Sequence, residues 1–213
     1  MHKIKLFLFL VFLLSAFGTP SRSGEMLLAR IKIGGKYGYI DKTGKMAINP
    51  QFNYAEDFQE GLAKVWLDGK WGYIDKTGKM AINPQFDAAL GFQEGLASIK
   101  LGDKWGYIDK TGKMAINPQF DAALGFQEGL ASINLGDKWG YIDKTGKMVI
   151  NPQLDGTGDF QDGLARIRLG DKRSYIDKTG KVAINLPFYE ASDFQEGLAR
   201  IRLGDKRSYI GLA

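Results

Sequence analysis

The sequence predicts an all-β chain: tandem units of 34 residues, each a three-stranded meander, about six of them stacked as an open superhelical array. Three observations predict it. Trp71, Trp105 and Trp139 recur at a spacing of 34, with Tyr37, Arg173 and Arg207 in the same phase. Residues 71–104 and 105–138 differ only at Lys100 versus Asn134. Asn-Pro, Gly-Asp and Lys-Thr-Gly breakers recur about every ten residues, too often for the helix pairs that share this period. A closed propeller-like ring is the alternative, disfavoured because a blade normally has four strands and this unit supplies three.

The elements follow in order. Strand one of a representative unit is Leu96 to Leu101, strand two Trp105 to Asp109 and strand three Lys113 to Asn117. Between strands one and two lie Gly34-Gly35, Asp68-Gly69, Gly102-Asp103, Gly136-Asp137, Gly170-Asp171 and Gly204-Asp205, all suited to two-residue primed turns. Lys110-Thr111-Gly112 suits a three-residue loop with glycine in the left-handed position. These turns place Lys100 opposite Trp105, Ile99 opposite Gly106, Ser98 opposite Tyr107 and Ile108 opposite Met114. One face then collects Ala97, Ile99, Leu101, Gly106, Ile108, Met114 and Ile116. The other collects Ser98, Lys100, Trp105, Tyr107, Asp109, Lys113, Ala115 and Asn117. A one-residue slip would mix the two sets. Pro118 to Gly129 reads as a connector over the aliphatic face, with room for one helical turn at Ala122-Ala123-Leu124.

Ahead of the array stands a targeting segment. His2, Lys3 and Lys5 are a basic start, Leu6 to Leu14 is unbroken Leu, Phe and Val, and Ala16 and Gly18 have signal-peptidase spacing. Cleavage is expected after Gly18, giving a signal peptide at 1–18, a lead at 19–27 and the array at 28–213. The 13 residues from Leu6 to Gly18 fall short of the roughly 20 that a spanning helix needs, so no stable membrane span is expected after cleavage. Loss of Lys3 and Lys5 lowers the formal net charge from +5 to +3, which gives no argument for nucleic acid.

Composition excludes much chemistry. The 213 residues include no cysteine, and the one histidine, His2, leaves with the signal. Disulfides, thiolate metal sites, thiol nucleophiles and the commonest general base are therefore missing from the mature chain. No catalytic residue, metal or cofactor is expected.

The residues carry a resemblance. Lys-Trp-Gly-Tyr-Ile-Asp-Lys-Thr-Gly-Lys at 70–79, 104–113 and 138–147, followed by Asn-Pro-Gln-Phe and then Phe-Gln-Glu-Gly-Leu-Ala, resembles the WG (or KWG) repeat family over roughly residues 28–210. The resemblance implies β-rich repeats in exported or surface proteins with binding roles and no assigned chemistry. The last two units depart from it, with Arg173-Ser174 and Arg207-Ser208 replacing Trp-Gly, Leu186-Pro187 shifting the proline, and Leu154 replacing phenylalanine.

Candidate sites are few. Trp71, Trp105 and Trp139 share a face with Tyr73, Tyr107 and Tyr141, as sugar platforms do, although periodic aromatics in solenoids ordinarily pack between repeats. Asp41, Asp75, Asp109, Asp143 and Asp177 occur singly, which suits a turn bonding its own amides better than calcium. Glu94, Glu128 and Glu196 recur in near-identical copies, which argues for a shared architectural job. The informative positions vary between repeats: Ser98 and Lys100 align with Arg30 and Lys32, Lys64 and Trp66, Ser132 and Asn134, Arg166 and Arg168, Arg200 and Arg202. With Arg173 and Arg207, six arginines line one end of the polar-aromatic face, a solvated surface or an anion site. The candidate ligand-binding residues are Arg166, Arg168, Arg173, Arg200, Arg202 and Arg207, with Trp71, Trp105 and Trp139. The expected function is non-catalytic binding in the periplasm, at the cell surface or outside the cell. Its partners would be a protein or an acidic polymer or glycan of the envelope; a carbohydrate or anionic-polymer module is the alternative.

Overall fold

The computed structural model describes residues 27–188, 190–203 and 205–211; the expected signal segment and the lead up to residue 26 lie outside these. The described residues are all-β, in six antiparallel sheets that follow one another along the chain. The first sheet holds Leu28–Ile33, Lys36–Asp41 and Met46–Phe52. The second holds Tyr54–Ala55, Ala63–Leu67, Lys70–Ile74 and Met80–Phe86, and the third Ala88–Ala89, Leu96–Leu101, Lys104–Asp109 and Met114–Phe120. The fourth holds Ala122–Gln127, Leu130–Leu135, Lys138–Asp143 and Met148–Leu154, and the fifth Gly156–Thr157, Leu164–Leu169, Lys172–Asp177 and Val182–Phe188. Glu190–Ala191, Leu198–Leu203 and Lys206–Gly211 form the sixth.

The hairpin turns set the register that the sequence predicts. Lys100 faces Trp105, Ile99 faces Gly106, Ser98 faces Tyr107 and Ile108 faces Met114. In the three-residue loops Asp109 accepts from the Thr111 amide at 2.9 Å, the Thr111 hydroxyl at 2.6 Å and the Lys113 amide at 3.1 Å. The lysine contribution is its backbone N–H.

Three expectations need correction. Sheets two to five have four strands, because the expected connector supplies another. Ala122-Ala123-Leu124 is strand and not a helical turn. The overlooked signal is Gln-Glu-Gly-Leu: Glu94 and Gly95 both take positive φ (51° and 87°), and Gln93 and Leu96 exchange backbone bonds of 2.9 and 3.1 Å. This is a primed two-residue turn with glutamate where asparagine is usual. The second correction concerns the third long strand, which runs on to Phe120 and is bulged. Tyr107 therefore faces Ile116, which leaves the aliphatic face and joins the tyrosine face. The third is what covers the aliphatic face: the tyrosine face of the preceding sheet packs on it.

The bulge explains the glycine of Trp-Gly-Tyr. A Cβ at Gly106 would lie 2.5 Å from the Ile116 carbonyl oxygen and 2.7 Å from the Pro118 nitrogen. In the fifth unit Ser174 stands here, and the proline of the facing strand has moved to Pro187. The two departures sit opposite one another.

Five core clusters join the six sheets pairwise. The second and third meet through Tyr73, Ile82 and Phe86 against Ala89, Phe92, Ala97, Ile99 and Ile108. The other four clusters repeat this with equivalent residues, and none joins the first sheet to the sixth among the described residues. The array is open, and each sheet depends on its neighbours.

Polar groups close each seam. The buried tyrosines donate to carbonyls of the next sheet: Tyr39 to Glu56, Tyr73 to Leu90, Tyr107 to Leu124, Tyr141 to Gly158 and Tyr175 to Ser192, at 2.6–2.8 Å. Asp87 accepts from the Lys70 ammonium of the second sheet at 2.5 Å and the Gly102 amide of the third at 2.8 Å. Asp121 and Asp155 repeat this bridge. At the other end of the strands Glu60 accepts from the Gly95 amide at 2.9 Å and pairs with Lys110 at 3.0 Å. Glu94 and Glu128 do the same with Gly129 and Lys144, and with Gly163 and Lys178. The recurring glutamate thus has the shared architectural job that its repetition implies.

Replacing Gly106 by alanine forces the Asn117-Pro118 backbone away and is expected to cost about 1–3 kcal/mol, as overpacking does. Chemical denaturation of wild type and Gly106→Ala checks this. The seam carboxylates set a pH dependence. The Lys70 bond, then the Gly102 amide, hold Asp87 below the usual carboxylate range, and Lys104 and Lys138 do likewise for Asp121 and Asp155. Burial opposes ionisation of Glu60, but Lys110 and the Gly95 amide outweigh it and its carboxyl also lies low. A depressed folded pKa stabilises above the unfolded value and is lost as pH falls through the folded one. Thermal melts are therefore expected to fall steadily below about pH 5, with Asp121→Asn showing a shallower acid slope.

Candidate functional site

Variation between repeats concentrates in one cross-strand row. Its members face each other by register: Tyr54, Trp66 and Trp71 in the second sheet, Ala88, Lys100 and Trp105 in the third, and Ala122, Asn134 and Trp139 in the fourth. The fifth sheet has Gly156, Arg168 and Arg173 there, and the sixth Glu190, Arg202 and Arg207. Directly opposed residues of an antiparallel pair point to one face, so each row is a continuous strip.

The neighbouring variable position belongs to the seam. Arg30 donates to the Ala55 carbonyl at 2.6 Å, Lys64 to Ala89 at 2.7 Å and Ser98 to Ala123 at 2.8 Å. Lys64 and Ser98 are buried. The face expected to present these residues to a ligand is, in the early sheets, an internal interface. One requirement, a donor for the next sheet's carbonyl, is met by side chains of three lengths. Trp71, Trp105 and Trp139 are half-buried and pack against the inter-sheet clusters.

At the far end of the array the same positions converge differently. Arg166 and Arg173 of the fifth sheet and Arg200 and Arg207 of the sixth line a cavity of about 330 Å³, together with Glu190 and Ser192. Register places Arg168 opposite Arg173 and Arg202 opposite Arg207, as the sequence predicts. Opposed like charges cost a few tenths to about 1 kcal/mol unless compensated. Compensation reaches three of the six. Arg166 pairs with Asp193 at 3.2 Å, Arg202 with Glu190 at 3.3 Å, and Arg168 donates to the Asp155 carbonyl at 2.8 Å. Among the described residues Arg173, Arg200 and Arg207 have no carboxylate within ion-pair distance. Burial, opposed by the Arg166 charge, pushes the Tyr175 hydroxyl up to about 12, so it stays a neutral donor to the Ser192 carbonyl.

The structure therefore brings four of the six predicted arginines around one cavity; Arg168 lines a smaller one of about 100 Å³ with Arg166 and Arg173. The tryptophans lie in other sheets. Sequence reasoning missed Glu190 and Ser192, whose only signal was their place in a segment read as a connector. It also missed Tyr54, which joins the row only once that segment is seen to be a strand.

The chain is similar to a solved eukaryotic initiation factor at 10% identity and a TM-score of 0.56, covering 88% of this chain and 60% of that one. It thus spans less than two thirds of the initiation-factor chain, and at that identity the likeness concerns the fold. A CNH domain, AfRom2, aligns at 12% identity over 87% of this chain and 84% of its own, with a TM-score of 0.41. A protein of unknown function from Bacteroides caccae aligns at 16% identity over 79% and 84%, with a TM-score of 0.35. No curated protein matches the chain. The pattern described as WG containing repeat matches residues 37–71, 71–105, 105–139, 139–172 and 174–206. Five consecutive matches spanning the sheets make this chain a member of the WG containing repeat family.

Proposed function

We propose that the protein is a non-catalytic binding scaffold, exported to the envelope or beyond, whose C-terminal end takes an anionic polymer. The observation that carries this reading is the cavity between the fifth and sixth sheets, where Arg173, Arg200 and Arg207 stand without carboxylate partners among the described residues. Guanidinium forks match carboxylate, sulfate and phosphate in a planar, bidentate way that lysine cannot copy. Clustered arginines repel one another, and an acidic visitor removes that cost. Glu190 and Asp193 each hold one arginine in place, which fixes the outline of the cluster without neutralising it. An acidic polysaccharide or an acidic protein patch fits this chemistry.

Retention of wild type on immobilised polygalacturonate and dextran sulfate is expected to fall with rising salt, because exposed charges are screened. The Arg173→Ser/Arg207→Ser variant is expected to elute near the void at low salt. Equal retention of the two proteins, or binding indifferent to salt, overturns the anion reading. Export rests on the first 18 residues. Terminal sequencing of protein recovered from cells expressing the full chain is expected to begin at Thr19, and a retained Met1 contradicts it.

A further inference from the structure

The second sheet departs from the repeat as sharply as the last two, and in the same row. Its opposed residues Tyr54, Trp66 and Trp71 are all aromatic, where the third sheet has Ala88, Lys100 and Trp105. Trp66 packs edge-on to Trp71 at 5.1 Å, Tyr54 meets Trp71 at 5.7 Å, and Tyr37 of the first sheet meets Tyr54 at 5.3 Å. The third and fourth sheets stack through the same seam without these two rings, so stacking does not require Tyr54 or Trp66. Tyr54 is 40% exposed, and Trp66 is half-buried. Two large aromatics have been added at a surface where alanine and lysine suffice.

Polar groups flank the rings. The Arg30 guanidinium lies 5.9 Å from the Tyr54 ring centre, and Asp57, its partner at 3.8 Å, has a side chain 75% exposed. A guanidinium that is 33% exposed, with one arm on the Ala55 carbonyl, and an exposed carboxylate thus stand beside an apolar platform.

We propose that this row is a carbohydrate-binding site that takes a pyranose ring of an oligosaccharide. A pyranose offers an apolar C–H face, which suits an aromatic platform, and a rim of hydroxyls that both donate and accept. Arg30 supplies donors and Asp57 an acceptor for that rim, the sparse polar complement typical of a ligand site. A nucleic acid strand also stacks on aromatics, but of the cations over these rings Arg30 and Lys64 already pair with Asp57 and Glu56, which leaves Lys32 for a phosphate backbone rather than a basic groove. The site lies in other sheets from the arginine cavity and does not rest on it.

The test uses the full chain and its tryptophan fluorescence, titrated with cellohexaose, chitohexaose, hexagalacturonate and, separately, single-stranded oligodeoxythymidylate. At least one of the three sugars is expected to give a saturable spectral shift. Tyr54→Ala/Trp66→Lys, which rebuilds the third sheet's row in the second, is expected to weaken that response at least about tenfold, or 1.4 kcal/mol, without changing the melting temperature. Trp66→Lys alone carries the comparison if the double variant melts early. Arg173→Ser/Arg207→Ser is expected to bind the sugar as wild type does, which separates this site from the anionic one. The proposal is overturned if no sugar shifts the spectrum, if only the oligonucleotide does, or if the rebuilt row responds like wild type.

Discussion

The array depends on one hydrogen bond made five times, from the buried tyrosine hydroxyl of a sheet to a backbone carbonyl of the next. Each tyrosine is at most 1% exposed and sets its ring about 5 Å from a phenylalanine of the following sheet. A phenol buried without a partner would cost about 1–3 kcal/mol, so the carbonyl must be held within reach. That single requirement fixes the distance between sheets and the path of the segment that supplies the carbonyl. The segment consequently pairs as a strand of two residues just ahead of that carbonyl, and in the fourth sheet as the longer strand Ala122–Gln127 that contains it.

Around that bond the seam stores and relieves strain together. Glu60, Glu94 and Glu128 take a left-handed φ, which disfavours a residue with a Cβ by roughly 1–2 kcal/mol. Their carboxylates reach the amide and lysine of the next sheet, a charge pairing that neutral asparagine cannot make. The strained backbone is thus tolerated because it aims a charge across the interface. Asp162 keeps the geometry in the fifth sheet with a φ of 53° and a 2.8 Å bond from Gly197.

A seam satisfied by tyrosine, carboxylate clasps and one interchangeable donor leaves the adjacent row free to change. Its occupants run from aromatic in the second sheet to arginine in the last two while the core residues beneath hardly alter. In a repeat array, change accumulates where the nearest-neighbour contacts make the least demand.

Much of this was legible in the sequence because turns and alternation are local. Gly102-Asp103 and Lys110-Thr111-Gly112 fix the pairing of the strands they join, and the observed register of Lys100 with Trp105 and Ile108 with Met114 follows from them alone. The opposition of Arg168 to Arg173 is equally local. What the tertiary structure decided is non-local. Whether Glu94 could hold a left-handed turn depended on Gly129 and Lys144, which lie in the following sheet. Whether Ile116 lay with Ile108 toward the preceding sheet or with Tyr107 toward the following one depended on a bulge set against Gly106. Whether Ser98 met solvent or a carbonyl depended on the sheet packed above it. Local sequence determines how a strand pairs with the next one; only the stacking of sheets determines which face of the pair ever meets water.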